Sequence, residues 1–471
     1  MNKKHFLLLV GIVISMSSCT LAPEYTRPEA PVPADWPSGE AYHETKTTPG
    51  ARTAPDLGWQ KFFTDGKLQA VIEAALNNNR DLRLAALNVK RARALYGIRR
   101  AELLPTLNAL GSGVKERVPA DLSTARKRMT VEKYSVDLGI VSWEIDFFGR
   151  IQSLRDRALE EYLATEQARR NAQILLVSSV ANAYLTLAAD RESLKLAEST
   201  LETQEAAYNL IRRRYEIGIA SKLDLRQAQT QVDVARVDIA LFTQRVAQDE
   251  NALNLLIGSP CPMPIDFFPT NLESVSPPKE IFPGISSEVL LRRPDILDAE
   301  HRLKAANANI GAARAAFFPR IALTTAVGTA SSALSGLFKS GSGAWRYAPQ
   351  IVMPIFDTRL WSAYDATKVE KEIALAQYEK AIQTAFREVS DALAVNGTVD
   401  KQISAQQSLV DAVAETYRLS TARYTKGIDS YLSVLDAQRS LYAAEQGLIA
   451  IRLAELANQV RLYAVLGGGG D

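Results

Sequence analysis

Apolar positions along the chain keep two different periods, each in its own stretches. From residue 66 to 104, and again from 286 to 318, they fall at helical spacing, and each run stops at a proline, Pro105 or Pro319. Proline lacks a backbone donor and crowds the turn before it, so it ends the pattern. Alternation follows. Tyr134, Val136, Leu138 and Ile140 interleave with Ser135, Asp137 and Gly139, while Ile321, Leu323, Thr325 and Val327 interleave with Ala322, Thr324, Ala326 and Gly328. A period of two predicts strands, near residues 106 to 117, 131 to 146, 320 to 333 and 345 to 357. From Gly149 and from Thr358 onward Ala, Leu, Gln, Glu and Arg dominate, which predicts helices of roughly 100 Å at about 1.5 Å per residue.

Those long helices carry seams. Leu187, Leu194, Leu201, Tyr208 and Tyr215 recur every seven residues, and so do Ile403, Val410, Tyr417 and Tyr424, a coiled-coil spacing. After Gly218 and after Gly427 the chain turns back. The returning helices carry Leu225, Val232, Ile239, Val246 and Leu253, and Leu435, Tyr442, Ile449, Leu456 and Tyr463. Gly218 and Gly427 suit the left-handed position past a helix end, and Ser221 and Ser430 suit the next N-cap, so each half ends in an αα-hairpin.

The halves repeat each other. Asp81-Leu82 through Gly97, Arg100-Ala101, Pro105 and Leu107 match Asp295-Ile296 through Gly311, Arg314-Ala315, Pro319 and Ile321 at an offset of 214. Arg214-Tyr215, Gly218-Ile219, Ser221 and Leu223 match Arg423-Tyr424, Gly427-Ile428, Ser430 and Leu432 at an offset of 209. Residues 61 to 257 and 286 to 471 are therefore two copies of one design, joined by a linker, 258 to 285, that holds seven prolines. A second proline-rich stretch, Pro23 to Pro37, is expected to lie extended on the outside of the fold.

Composition narrows the function. Lys3 and Lys4, the apolar run from Phe6 to Met16 and the small residues before Cys19 read as a signal peptide over residues 1 to 18, so the chain is exported. Its removal turns 55 basic residues into 53 against 53 acidic ones, a balance that argues against nucleic acid. Three histidines, two cysteines and the absence of a phosphate loop or nucleophile elbow leave no basis for an enzyme or a metal cofactor. His43 and His301 read as structural residues, Cys261 as an inert thiol and Arg126-Lys127-Arg128 as a solvated run in an outer loop. No mature stretch of 18 consecutive apolar residues occurs, so any membrane-spanning part must be a β-barrel. Four strands cannot close one, whereas three copies would supply twelve.

Met16-Ser17-Ser18-Cys19 resembles a bacterial lipobox, which implies a covalent lipid on Cys19 and an extended anchor segment over residues 19 to 60. Together with Pro23-x-Tyr25-x-Arg27-Pro28, Trp143-Glu144-Ile145-Asp146-Phe147-Phe148-Gly149-Arg150, Arg293-Pro294-Asp295-Ile296, Gly311 to Pro319 and Leu435 to Ser440, it makes the chain resemble the outer-membrane factor lipoproteins of the TolC superfamily, of the OprM type. The resemblance implies an α+β membrane protein: a long coiled-coil α-barrel continuous with a twelve-stranded outer-membrane β-barrel in a homotrimer. It implies drug export, with a periplasmic adaptor and an inner-membrane proton-driven transporter of the resistance-nodulation-division class as partners. An outlet for metal ions or secreted proteins, and a lipid-anchored coiled-coil adaptor, are the alternative readings.

A resting duct must be closed, and the hairpin tips are the natural constriction. Leu432, Asp436 and Arg439 share one helix face by spacing, and the resemblance makes them the apolar and charged rings of a periplasmic gate. Asp224 fits two roles, a capping box with Ser221 or a gate contact to Tyr424. Arg214 and Arg423, in last helical turns, suit the helix dipole. Gly218 and Gly427 mark the turns where the resemblance places adaptor docking.

Overall fold

The computed structural model describes residues 20–42, 54–259, 264, 267–279, 281 and 287–470. Cys19, His43 and Cys261 lie outside them. After one helical turn at Trp59–Phe62 the elements run α1 (Gly66–Asn78), α2 (Arg80–Ala101), β1 (Leu107–Val118), β2 (Met129–Ile145), α3 (Arg150–Glu216), α4 (Lys222–Ile257), α5 (Pro294–Ala315), β3 (Arg320–Ser331), β4 (Gly343–Val352), α6 (Thr358–Thr425) and α7 (Tyr431–Val465). The first helical run, expected unbroken, divides at Asn79, whose side-chain oxygen accepts from the backbone N–H of Asp81 and Leu82 and so starts a new helix. β4 stops at Val352, short of the expected 357, because Pro354 cannot donate to a ladder. One 18-residue window of α3 is apolar enough to cross a membrane, but 61% of it is buried inside the chain, as in a core helix.

The chain forms two compact units. One comprises, of the described residues, those within 20–29, 88–166 and 298–378 and holds the sheet. Its four strands are all antiparallel in the order β1-β2-β3-β4, leaving β1 and β4 as open edges. The register sorts side chains cleanly. Leu107, Ile140, Leu138, Val136, Tyr134, Val327, Trp345, Tyr347 and Ile351 share one face through the pairs Leu107↔Ile140, Leu138↔Val327, Val327↔Trp345 and their neighbours. The other face carries mostly small or polar residues, among them Ser112, Ser135, Asp137, Ala326, Gly328, Arg346 and Gln350. Between Ile140↔Thr325 and Trp143↔Leu323, β2 has one residue more than β3. This bulge reverses the parity of β2, so that Trp143 and Ile145 join the apolar face below it.

The same unit explains two of the sequence motifs. Glu144 receives both forks of Arg150 at 2.8 Å, Asp146 accepts from the backbone of Gln152 at 2.7 Å, and Gly149 takes a left-handed φ of 69°, together turning β2 into α3. Phe148 stacks on Phe318 at 4.7 Å, joining the β2–α3 junction of the first repeat to the α5–β3 junction of the second. The extended segment from Thr20 lies along α5. Asn307 and Arg314 donate to the carbonyls of Pro23 and Leu21, and Tyr25 and Arg27 both donate to the nearly enclosed Glu300, which Lys304 also pairs. Gly311 makes room for this segment: a Cβ there would stand 2.7 Å from the backbone nitrogen of Ala22. Its repeat counterpart Gly97 has open space in the same place. His301 pairs with Glu160 at 2.6 Å, a structural contact.

Residues 30–87, 167–297 and 379–471 form the second unit, made of the paired hairpins. Here the repeat is visible as a shared tie. Asn79 donates to the carbonyl of Leu256 at the end of α4, and Arg293, its counterpart at the 214 offset, donates to that of Val465 at the end of α7. Arg293 is buried and also bridges Asp295 and Glu388 at 2.7 and 2.9 Å. Stacking of Phe62 on Tyr463 at 4.0 Å and of Trp36 on Phe386 at 5.3 Å fastens the chain's early segments to this unit.

Candidate gate at the hairpin tips

The heptad seams of the two hairpins meet at their tips. Ile211 and Ala228 of the first hairpin and Tyr431, Val434 and Leu435 of the second form a buried cluster, with Tyr208, Leu225, Tyr417 and Tyr424 packed against it. Several aromatics in this core carry a hydroxyl. Burial pushes the phenols of Tyr417, Tyr424 and Tyr431 up, further from ionisation.

Both turns close in the same way. Gly218 and Gly427 adopt φ of 80° and 71°, and the N–H groups of Ile219 and Ile428 reach back to the carbonyls of Arg214 and Arg423, the pattern of a Schellman motif. Beyond the backbone the two tips differ. Ser221 and Asp224 make a full capping box: Asp224 N donates to Ser221 Oγ at 3.0 Å, and Ser221 N donates back to Asp224 Oδ2 at 3.0 Å. Ser430 occupies the equivalent N-cap position, but its side chain makes no cap hydrogen bond. The third residue on is Ser433, where the first tip has Asp224.

The two tip arginines diverge as well. Arg214 lies over the ring of Tyr424, 5.0 Å from its centroid, whereas Arg423 forks onto Asp429 across the turn at 2.5 and 2.9 Å. Position 220, which answers to Asp429 in the first repeat, is alanine. Tyr424 also packs on Tyr431 at 5.3 Å. Of the two roles the sequence allows Asp224, its carboxylate is engaged in the cap, while its charge still lies close enough to add to the upward push on the Tyr424 phenol.

Leu432, Asp436 and Arg439 fall together on the exposed side of α7, with Tyr431, Val434, Leu435, Ala437 and Gln438 turned inward. Leu432 is 49% exposed despite being apolar. Arg439 does not pair with Asp436. Its Nε donates to Gln231 Oε1 of α4 at 3.2 Å, beside a cleft of about 310 Å³ lined by Gln204, Asp238 and Tyr442. The arginine thereby links the two hairpins. Sequence reading missed this contact; its local mark is a glutamine, Gln231, beside the heptad position Val232, and the structure buries it. Among the described residues no group of His, Cys, Asp and Glu could hold a metal ion.

One unit thus holds an apolar-faced sheet with two open edges, and the other holds paired hairpin tips with exposed Leu432 and Asp436. The family model described as outer membrane efflux protein matches residues 71–259 and 285–468. The chain belongs to the outer membrane efflux protein family. The family match covers both repeats separately, breaking across the proline-rich linker. Among curated relatives, the "Antibiotic efflux pump outer membrane protein ArpC" of Pseudomonas putida is 49% identical over 467 residues, covering 99% of this chain and 96% of its own. The "Toluene efflux pump outer membrane protein TtgC", also of Pseudomonas putida, matches to the same degree. Among solved structures, the open state of the Neisseria gonorrhoeae MtrE outer membrane channel superposes with a TM-score of 0.85 at 38% identity, over 96% of this chain and 98% of that one. As a member of this efflux family, the chain has the TolC-like channel fold and works at the outer membrane.

Proposed function

We propose that three copies of this chain close a twelve-stranded barrel through the outer membrane and that the hairpin tips form a periplasmic gate on the duct beneath it. One observation carries the reading: the four-stranded sheet ends in two unpaired edges and presents an apolar face. In lipid no backbone edge can stay unpaired, so β4 of one copy must meet β1 of the next. Lipidation of Cys19 would anchor the extended N-terminal segment to the membrane. Drug-like, poorly water-soluble compounds are the cargo most consistent with relatives named for antibiotics and for toluene. They would be handed over by a periplasmic adaptor docking at the Gly218 and Gly427 turns, fed by a proton-driven transporter in the inner membrane. The duct itself conducts passively.

At the gate, Leu432 supplies an apolar ring and Asp436 a ring of like charges, while Arg439 steadies the helix through Gln231. Single-channel recording of the purified mature protein in planar bilayers tests this. Small, flickering currents are expected from the wild type, and larger, steadier ones from Asp436→Ala. Equal, sizeable currents from both would remove Asp436 from the gate, and no current from well-folded protein would overturn the channel.

A further inference from the structure

We propose that the outer end of the sheet binds the phosphate groups of outer-leaflet glycolipid, through Lys115 and Arg117 on its apolar face and Arg126, Lys127 and Arg128 in the β1–β2 turn. The inference rests on the barrel reading above, which puts the strand turns outside the cell.

The register locates the site. Going outward from Leu138, the apolar face carries Val136 and then Tyr134, which pairs with Gly113. The Tyr134 ring stands 3.2 Å from where a Gly113 Cβ would be, so it lies flat over that glycine. A tyrosine at this position suits the polar boundary of a membrane. The next two rungs on the same face are Lys115↔Glu132 and Arg117↔Thr130. Both cations therefore emerge on the lipid side, immediately beyond the aromatic level, where the phosphorylated headgroups of the outer leaflet begin. Lys133, which pairs with Val114, points to the opposite face and is not part of the site.

The turn above is built to display charge. Ser123 is buried and organises it: its N–H donates to the Pro119 carbonyl at 3.1 Å, its Oγ accepts from Ala125 N at 3.2 Å, and its carbonyl accepts from Arg126 N at 2.9 Å. Arg126 is held at a left-handed φ of 53°, and it, Lys127 and Arg128 are all exposed. Without Lys133, residues 115–132 carry five basic and three acidic side chains, a net charge of +2 per copy. The neighbouring β3–β4 turn adds an exposed Phe338 next to Lys339, an apolar group and a cation side by side. Clustered cations next to lipid-facing apolar surface match a ligand that carries phosphate and acyl chains together. Glu132 opposes this, since it holds Lys115 at 2.6 Å.

Thermal unfolding of the detergent-solubilised mature protein, titrated with bisphosphorylated lipid A, tests the site. The wild type is expected to be stabilised by the bisphosphate, and not by dephosphorylated lipid A or by inorganic phosphate. K115Q/R117Q and R126Q/K127Q/R128Q should weaken the apparent affinity by roughly fivefold per basic side chain removed. Glu132→Gln, which frees Lys115, should strengthen it. Equal stabilisation by the dephosphorylated lipid or by inorganic phosphate, or unchanged titrations in both basic variants, would overturn the proposal. Conductance of the same variants in phospholipid bilayers separates the two ideas. A normal pore without phosphate-dependent lipid binding removes only this site, whereas no pore in any form removes the barrel reading and the site with it.

Discussion

Two carboxyl groups in this chain have opposite environments, and each makes a distinct prediction. Burial alone would push Glu300 up, but hydrogen bonds from Arg27 and Lys304 outweigh it and hold the carboxyl below the usual glutamate value of 4.5. A depressed acid stabilises the fold above its unfolded value, and the benefit fades as pH falls through the folded one. Glu300→Ala leaves two cations facing a nearly enclosed site. Because Arg27 is half exposed, the loss should be about 2 kcal/mol rather than the full cost of a broken buried pair. Urea unfolding at pH 7 should show it, and the gap to wild type should shrink below pH 4.5.

Asp249 behaves in the reverse sense. Burial first, and then the neighbouring Asp190 carboxylate, push it up to about 6, with Arg245 pulling weakly the other way. A raised acid favours the fold while protonated, so stability drops as pH climbs from the ordinary value of 3.8 through about 6. Asp249→Asn is therefore expected to raise the melting temperature at pH 7.5, with the advantage vanishing towards pH 4. A constant gap across that range would remove the carboxylate pair as its cause. Neither group announced itself in the sequence. Glu300 meets Arg27 across 273 residues, and nothing in local periodicity encodes such a meeting.

At the level of elements, alternation and proline placed all four strands within a few residues of their observed ends, because a half-buried strand and a chain terminator each leave a local mark. The β2 bulge left a mark that the reading passed over. Apolar residues fall at Tyr134, Val136, Leu138 and Ile140 and then at Val141, Trp143 and Ile145, so the alternation changes parity where the extra residue sits. Asn79 and Arg293 were hidden differently. They occupy one position of the repeat with unlike side chains, yet both reach a carbonyl at the end of a returning helix, Leu256 and Val465, which are themselves 209 apart. The sheet depends on two glycines that a sequence reading passes over. A Cβ on Gly139 would lie 2.2 Å from the Thr325 carbonyl oxygen, and one on Gly328 would lie 2.1 Å from that of Val136, while Gly111 has open space. Gly139→Val and Gly328→Val should therefore abolish the heat-modifiable oligomer band in electrophoresis of outer membranes, and Gly111→Val should retain it.

For the whole molecule, the two faces of the sheet face two solvents, and charge discriminates between them. Val327, exposed on the apolar face near the middle of β3, should tolerate arginine poorly, at about 2–4 kcal/mol near the bilayer midplane. Ala348, on the opposite face two residues from Arg346, should accept it. The yield of inserted protein in outer-membrane fractions reads the difference, and equal yields would mean that neither face meets lipid. The gate is less legible at this scale. Spacing put Leu432, Asp436 and Arg439 on one face, and they share it, but the partner of Arg439 came from a different helix altogether.

The seat of the N-terminal segment has a consequence for symmetry. Duplication gives the chain two equivalent helices, α2 and α5, and a trimer would set six around the duct. Among the described residues the segment fills the groove of α5, where Gly311 abuts Ala22, whereas space beside Gly97 is open. A segment present once in a twice-repeated chain thus marks every second position of the ring. A sixfold-looking cylinder would acquire three-fold polarity, and whatever assembles around it could tell alternate positions apart.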